Sequence, residues 1–532
     1  MNGLNRNLMQ TALRGTVGWL IRLSLASAII PGPAKGTPMV ETEVARFTVG
    51  EVTIHRTGGG DPFADEVWLV ARKPDGSERR VPAFYDGDDV WRVRLAPDQV
   101  GRWECRVEPS EGIRRMTGLL SAARGTFQCV SNGPEDRGGV EIDPAHPHHF
   151  RYEDGTPYFL LGYECDWLFA LDMNHPDTKP MAGFLDTLAR FGFNYLVVQA
   201  YAHDTPWCPG HSNPYDVGPP ALFAWEGTNE KPDHARLNLA YWRAYDRMVQ
   251  ALDARGITTQ IMFKVFNKMV TWPDKGSLED DRFWRYVVAR YQAYNVAWNL
   301  AKEAWYDKDL AYWNHRASLI RACDAHGRLI CIHDWNPPGM AADFLTDQQH
   351  ERWHEHILTE RARAEHPVVN IEYGYEDGSI RTYNVAQSAD EVRRRTWLIV
   401  LAGGYPVYYF NPTAWDVIKH EEIPPGYAQM GLVRQVMASL PFAEMEPHDE
   451  LAEGAYCLAK PGRAYLLYQE KRGPVVLTMK GKGTFAVEWI DPGTGHRLRG
   501  DSVEPGRPRL APPDSLKSGD ALLVVRQVLL SD

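Results

Sequence analysis

Residues 294–305, YNVAWNLAKEAW, decide the fold. Asn295, Ala297, Asn299, Ala301 and Glu303 are small or polar, and the interleaved Val296, Trp298 and Leu300 are apolar. A period of two puts these sets on opposite faces of a strand. Small or polar side chains suit a barrel interior, and bulky ones suit packing under an outer helix. The stretch ends on a carboxylate, Glu303, and the C-terminal end of a barrel strand is where barrel enzymes carry their chemistry.

Strand and helix patterns alternate on both sides of this stretch. Apolar runs begin near residues 158, 194, 257, 295, 329, 342, 367 and 405, with helical periodicity over 181–191, 238–255, 281–294, 310–326 and 389–401. Eight such alternations over roughly 280 residues predict a central (β/α)8 TIM barrel across residues 140–440. A doubly wound sheet would carry a glycine-rich turn after its first strand, and GYECDW at 162–167 has none.

The flanks read differently. Residues 41–132 contain short strand-like runs separated by Gly, Pro and Asp turns, which predicts a β-sandwich. Residues 131–139, SNGPEDRGG, form a polar linker. Residues 445–530 again alternate in short runs and predict a second β-sandwich. The chain is therefore multidomain α/β, with β-sandwiches on both sides of the barrel. Residues 1–40 predict a targeting segment, with Arg6 and Arg14 ahead of an apolar run at 17–30 and small residues Ala26, Ser27 and Ala28 at a cleavage position. That pattern predicts a periplasmic or secreted protein with no membrane span in the mature chain. The sequence is silent on oligomeric state.

Bulk properties narrow the function. A net charge of -11 argues against a nucleic-acid partner. The 18 Trp and 24 Tyr, many beside loop residues, offer flat faces of the kind that stack on sugar rings. The seven Cys lack CxxC spacing, so no zinc site is predicted. Cys105 and Cys129 lie in neighbouring strand-like runs and could pair in an oxidising compartment.

Polar and aromatic residues follow the apolar runs in turn: Asp166 and Trp167; Tyr201, His203 and Asp204; Lys264 and Asn267; Glu303; His333, Asp334 and Trp335; Glu372 and Tyr373; Trp415 and Asp416. They predict a lined pocket. In PVVNIE at 367–372, alternation puts Val368, Asn370 and Glu372 on one face, so Glu372 joins Glu303 at the upper rim. Two carboxylates across a cleft are what glycosidic hydrolysis needs, one as acid and the other as nucleophile or base. Asp166, Trp167, Tyr201, His203, Asp204, Lys264, Asn299, Lys302, His333, Asp334, Tyr373 and Trp415 are the expected substrate contacts. No metal or other cofactor is expected, because strand one offers Glu164 and Asp166 where barrel metallohydrolases show HxH. His146, His148 and His149 are expected at the surface. GxSxG is absent, and Cys165 and Cys208 lack a histidine partner by spacing.

The segments at 149–168, 193–207, 294–305, 366–376 and 401–416 together resemble the apiosidase-like branch of the clan A glycoside hydrolases. Residues 41–130 resemble the sandwich often fused to such barrels. Residues 451–526, with AYLLYQ and VEWIDPGTG, resemble a small C-terminal domain associated with collagen binding. The resemblance implies Glu303 as acid/base after strand four and Glu372 as nucleophile after strand seven, in a retaining hydrolase of a plant or algal glycan. It also marks a departure. Clan A barrels usually carry Asn before the acid/base, to bind the sugar 2-hydroxyl, and here that position is Lys302. Either Lys302 faces an acidic or unusual sugar, or it turns outward and Asn299 serves the substrate. The departure also motivates an alternative, a non-catalytic carbohydrate- or collagen-binding adhesion protein on a degenerate barrel.

Overall fold

The structure, a computed structural model, describes residues 42–57, 60–133, 137–377 and 386–528. The expected targeting segment lies outside them. The centre of the molecule is a ring of parallel strands: β1 Gly162–Glu164, β2 Tyr195–Gln199, β3 Thr258–Val265, β4 Val296–Lys302, β5 Ile330–Cys331, β6 Leu345–Asp347, β7 Val368–Asn370 and β8 Tyr405–Phe410. They follow one another around the ring in chain order. A parallel bridge between His333 and Thr346 joins β5 to β6 and closes the barrel. Strand one lies slightly later than its apolar run suggests. Pro157–Tyr158 pairs antiparallel with Phe150–Tyr152 beneath the barrel, and parallel pairing begins only at Gly162.

Helices cover the ring: α1 Leu168–Asn174, α2 Met181–Arg190, α3 Leu239–Asp253, α4 Leu278–Tyr291, α5 Leu310–Cys323, α6 Trp353–Arg363, α7 Ala389–Leu401 and α8 Pro425–Ala438. Several starts are written locally. Asn238, Ser277, Asp309 and Ser388 each accept a backbone N–H at the beginning of α3, α4, α5 and α7. Acidic Glu279, Asp280 and Asp281 fill the first turn of α4, where the helix dipole favours them. The crossover from β5 to β6 carries no helix among the described residues. Both faces of the long strands are covered, so all of β3 and β8 is buried and their sequences are continuous rather than alternating.

Before the barrel, a five-stranded and a four-stranded sheet enclose a core that includes Val52, Ile54, Trp91, Trp103 and Phe127. After it, a six-stranded and a three-stranded sheet enclose Leu467, Phe485, Trp489 and Leu523. In the first sandwich Gly101 lies opposite Cys129 and Gly125 opposite Cys105. The two cysteines are thus four residues out of register, too far apart for a disulfide with each other. Of the three histidines before the barrel, His149 departs from the surface expectation. His149 is buried, with Nδ1 2.8 Å from the Tyr405 hydroxyl, and burial pushes its pKa down to about 3.

A buried ion cluster ties the first sandwich to the barrel. Arg94 of the sandwich and Arg290 of α4 both place Nη2 2.7 Å from Asp246 Oδ2 on α3. Burial alone would raise the Asp246 pKa, but the two guanidinium groups hold it at about 2. Its contribution to stability is therefore present above the ordinary carboxylate range and is lost as pH falls toward about 2. Replacing Asp246 by alanine takes the shared carboxylate from two buried guanidinium groups, leaving Arg94 with Glu51 and Arg290 with Asp86, and should cost about 3–5 kcal/mol in urea unfolding at neutral pH. A cost below about 1 kcal/mol would show that the cluster does not hold the domains together.

Candidate active site

The polar centre lies at the C-terminal ends of the strands, and Lys302 is its hub. Lys302 is 1% exposed. Its Nζ donates to Glu164 Oε1 at 2.6 Å, to Asp166 Oδ2 at 2.9 Å and to the Tyr409 hydroxyl at 3.2 Å, and lies 3.7 Å from Glu372 Oε2. The end of β4 thus reaches across the ring to β1, β7 and β8. Simple alternation would have put Lys302 beside Trp298, whose indole faces outward to Asp324. Lys302 points inward, so the option in which it turns away from the barrel is excluded. Asn299 is the other candidate named by its position. It is fully buried, and its Oδ1 accepts the backbone N–H of Ala301 two residues on.

Burial opposes the charge on Lys302, but Asp166, Glu164 and Glu372 outweigh it and keep the ammonium protonated. Glu164 is pushed far up by burial, against Lys302, with the neighbouring Asp166 carboxylate adding to the rise.

Glu303 follows β4 in a left-handed backbone conformation, with φ of 51°. That turn, rather than strand alternation, brings it into the pocket after the inward-facing Lys302. Asn267 Nδ2 donates to Glu303 Oε2. Burial and the nearby Glu372 carboxylate raise the Glu303 pKa, with Lys302 and Lys268 acting against them.

Glu372 follows β7 and is 4% exposed. The Tyr375 hydroxyl and Gln348 Nε2, the latter at 2.9 Å, donate to Oε1. Glu372 Oε2 is buried with no hydrogen-bond partner among the described residues, and Lys302 is its nearest cation. Gly374 allows the chain to double back here, with φ of 147°. A Cβ at that position would lie 2.2 Å from Gln387 Oε1 and 2.6 Å from Arg395 Nη1. Glu372 and Tyr375 can therefore meet only if residue 374 lacks a side chain.

Aromatic rings flank these carboxylates. Trp415 packs against Tyr375 with centroids 5.2 Å apart and edge-on to Trp207 at 5.9 Å. Trp167 is fully buried, and its indole N–H has no acceptor among the described residues. Asp334, after β5, is raised to about 7 by burial, then by Asp347, Glu372 and Glu303, with the Gln348 backbone N–H pulling the other way. His333 is fully buried, and burial with Lys302 nearby keeps it neutral.

Other expected contacts lie elsewhere. Lys264 faces outward and pairs with Asp280 of α4 at 3.0 Å. Its neighbour Phe263 also faces α4, stacking on Trp284, so inside–outside alternation breaks at this strand end. Tyr201 is locked in an aromatic cluster with Trp225, Tyr241 and Trp272. The Tyr373 hydroxyl points outward to Thr396 of α7 at 2.7 Å. Asp204 accepts the backbone N–H groups of Thr205 and Gly210, and so shapes the loop that carries Trp207. His203 sits against Phe223, and burial lowers its pKa.

Three participants were missed. Nothing in the sequence sets Tyr375 apart from Tyr373, because alternation from Glu372 with a glycine between favours neither. Gln348 follows a three-residue strand whose end the sequence marks weakly. Lys268 lies in a loop after β3, where nothing in FNKMV separates it from an exposed lysine. Among the described residues, no group of three His, Cys, Asp or Glu side chains is arranged to hold a metal ion.

Comparison with known proteins places this geometry. The family described as "Apiosidase-like, catalytic domain" matches residues 145–444, and a domain of unknown function, DUF5060, matches residues 43–109. The crystal structure of a candidate glycoside hydrolase from Bacteroides vulgatus ATCC 8482 superposes with a TM-score of 0.74 at 18% identity, covering 92% of this chain and 100% of that one. A glycoside hydrolase family 5 structure from the same organism gives a TM-score of 0.58 at 20% identity, covering 74% and 94%. No curated protein sequence matches the chain.

Proposed function

Because the chain belongs to the apiosidase-like family and is a glycoside hydrolase, we propose that Glu303 and Glu372 are its acid/base and nucleophile. The observation that carries this reading is the pair itself. The two carboxylates stand after β4 and β7 of one ring, close enough for Glu372 to raise the pKa of Glu303.

The chemistry follows from their unequal surroundings. Glu303 is half-buried and influenced by a second carboxylate, so it stays protonated beyond the ordinary carboxylate range and can give its proton to the leaving oxygen. Glu372 has Oε1 held by Tyr375 and Gln348, while Oε2 carries no hydrogen bond. That free oxygen attacks the anomeric carbon to give a glycosyl-enzyme. Glu303, now a carboxylate, then takes a proton from the water that releases the sugar with retained configuration. Lys302 sits where a clan A barrel would offer an amide to the 2-hydroxyl, and its ammonium is committed to Glu164, Asp166 and Tyr409 instead.

Since Glu303 acts protonated, kcat/KM should fall as pH rises through its elevated pKa. The basic limb should thus lie above the range of an unperturbed glutamate. A basic limb that Glu303→Gln left in place would assign it to another group.

Trp207 and Trp415 supply faces for sugar rings. The substrate class that fits is a side chain of a plant or algal polysaccharide, processed outside the cytoplasm. Incubation with pectins, hemicelluloses and algal glycans, followed by chromatography of released sugars, tests this. Release from at least one of these glycans is expected, and activity confined to other glycans would overturn the assignment.

A further inference from the structure

The loop after β3 carries a buried lysine that the two-carboxylate mechanism does not use. Lys268 is 7% exposed. Its Nζ donates to Asn267 Oδ1 at 2.8 Å and lies 4.2 Å from the Trp207 ring centroid and 5.7 Å from that of Trp167. Among the described residues it has no carboxylate within ion-pair distance. Cation–π contact with two indoles compensates a buried ammonium only in part, so a further role is expected of it. The loop is pinned on both sides. The Met269 N–H donates to the Asp204 carbonyl at 2.9 Å, and Asn229 Nδ2 donates to the Met269 carbonyl at 2.9 Å.

We propose that Lys268 is a positioning residue that acts through Asn267 to fix which oxygen of Glu303 carries the catalytic proton. The proposal rests on Glu303 being the acid. The two ends of an asparagine amide are nearly equal in shape, and only their partners decide which way the group faces. An ammonium has donors and no acceptor, so Asn267 must turn Oδ1 toward Lys268. Nδ2 is then left facing Glu303, and Glu303 Oε2 accepts from it. An oxygen committed as an acceptor leaves the acid proton to its partner, so the proton resides on Oε1. Without Lys268 the amide is free to turn. Oδ1 would then invite the proton onto Oε2, away from the leaving group.

The charges facing Glu303 are those of Glu372, Lys302, Lys268 and Asp166, with Asp334 and Tyr306 close by. Those facing Lys268 are Lys302, Asp166, Glu303 and Glu372. Burial and Lys302 bring the Lys268 pKa down to about 8, which still leaves the ammonium charged through the acidic and neutral range.

The test is a titration cycle that needs no substrate. Protein labelled with [5-13C]glutamate is followed by NMR across pH, the Glu303 resonance being assigned by its loss in Glu303→Gln. Lys268→Met should shift the Glu303 titration to higher pH, and Lys268→Arg, which keeps a donor-only cation, should leave it near wild type. In an Asn267→Ala background the same Lys268→Met change should move it by less than half as much. Equal shifts in both backgrounds, or no shift in the first, would overturn the relay, because a lysine acting through space or on packing alone does not need Asn267. If Lys268→Met fails to fold, Lys268→Gln takes its place under the same criteria. A separate measurement isolates the parent assignment. If Glu303→Ala loses equal activity on aryl glycosides with good and poor leaving groups, Glu303 is not the acid, whatever the titration of Lys268 variants shows.

Discussion

Glu372→Gln should lower kcat by at least about a thousandfold while the unfolding midpoint stays near that of the wild type. The amide keeps the shape of the side chain and can still accept from Tyr375 and Gln348 through its oxygen. What it loses is the nucleophile. Lys302 retains Glu164 and Asp166 at 2.6 and 2.9 Å, so the ion cluster survives and the fold with it. Sugar release from the wild type's best glycan, measured alongside urea unfolding of both proteins, separates the two effects. A variant within tenfold of wild type would remove Glu372 from the mechanism. Glu303→Gln should show a comparable loss on natural glycans, because their leaving groups need the proton.

Lys302→Met carries the second large effect, and here activity and stability should fall together. The methionine fits the stem but leaves Glu164 of β1 and Asp166 just beyond it buried without their cation. Breaking a buried ion pair from one side costs about 3–5 kcal/mol, and that loss should appear in urea unfolding at neutral pH. The penalty should shrink as pH falls, since protonating the abandoned carboxylate removes the buried charge. Activity should drop at least about tenfold, because Glu372 then faces Asp166 with no ammonium between them. Lys302→Asn, which installs the residue usual in clan A, should do no better. An asparagine is too short to span from β4 to the carboxylates of β1. A Lys302→Met protein as stable as wild type at neutral pH would show that the cluster is not held by this lysine.

The barrel was legible because its strands are apolar runs separated by helical periodicity, and the ring closes in the order of those runs. Glu303 and Glu372 were legible for a related reason. Each is the first carboxylate after an inward-reading strand, four and seven strands along. Individual contacts were harder to read, since they depend on where alternation stops. At Phe263 and Lys264 two successive side chains face α4, and at Lys302 and Glu303 two successive side chains face the pocket. A period of two assigns one of each pair wrongly. Tyr201 and Tyr373 failed for another reason, as tyrosines after a strand pack outward as readily as inward. Lys268 shows the converse limit. Its role depends on two tryptophans and an asparagine brought together by folding, and no local pattern announces that.

The glycosyl-enzyme offers the most direct test of the central claim. An activated aryl glycoside of the released sugar is mixed with Glu303→Gln, in which the second step is slowed. The reaction is quenched by acid and the protein is digested for mass spectrometry. The account predicts one glycosyl group per chain, attached to the peptide that contains Glu372. A glycosyl group found on any other residue, or an inverted first product with no covalent species, would contradict it.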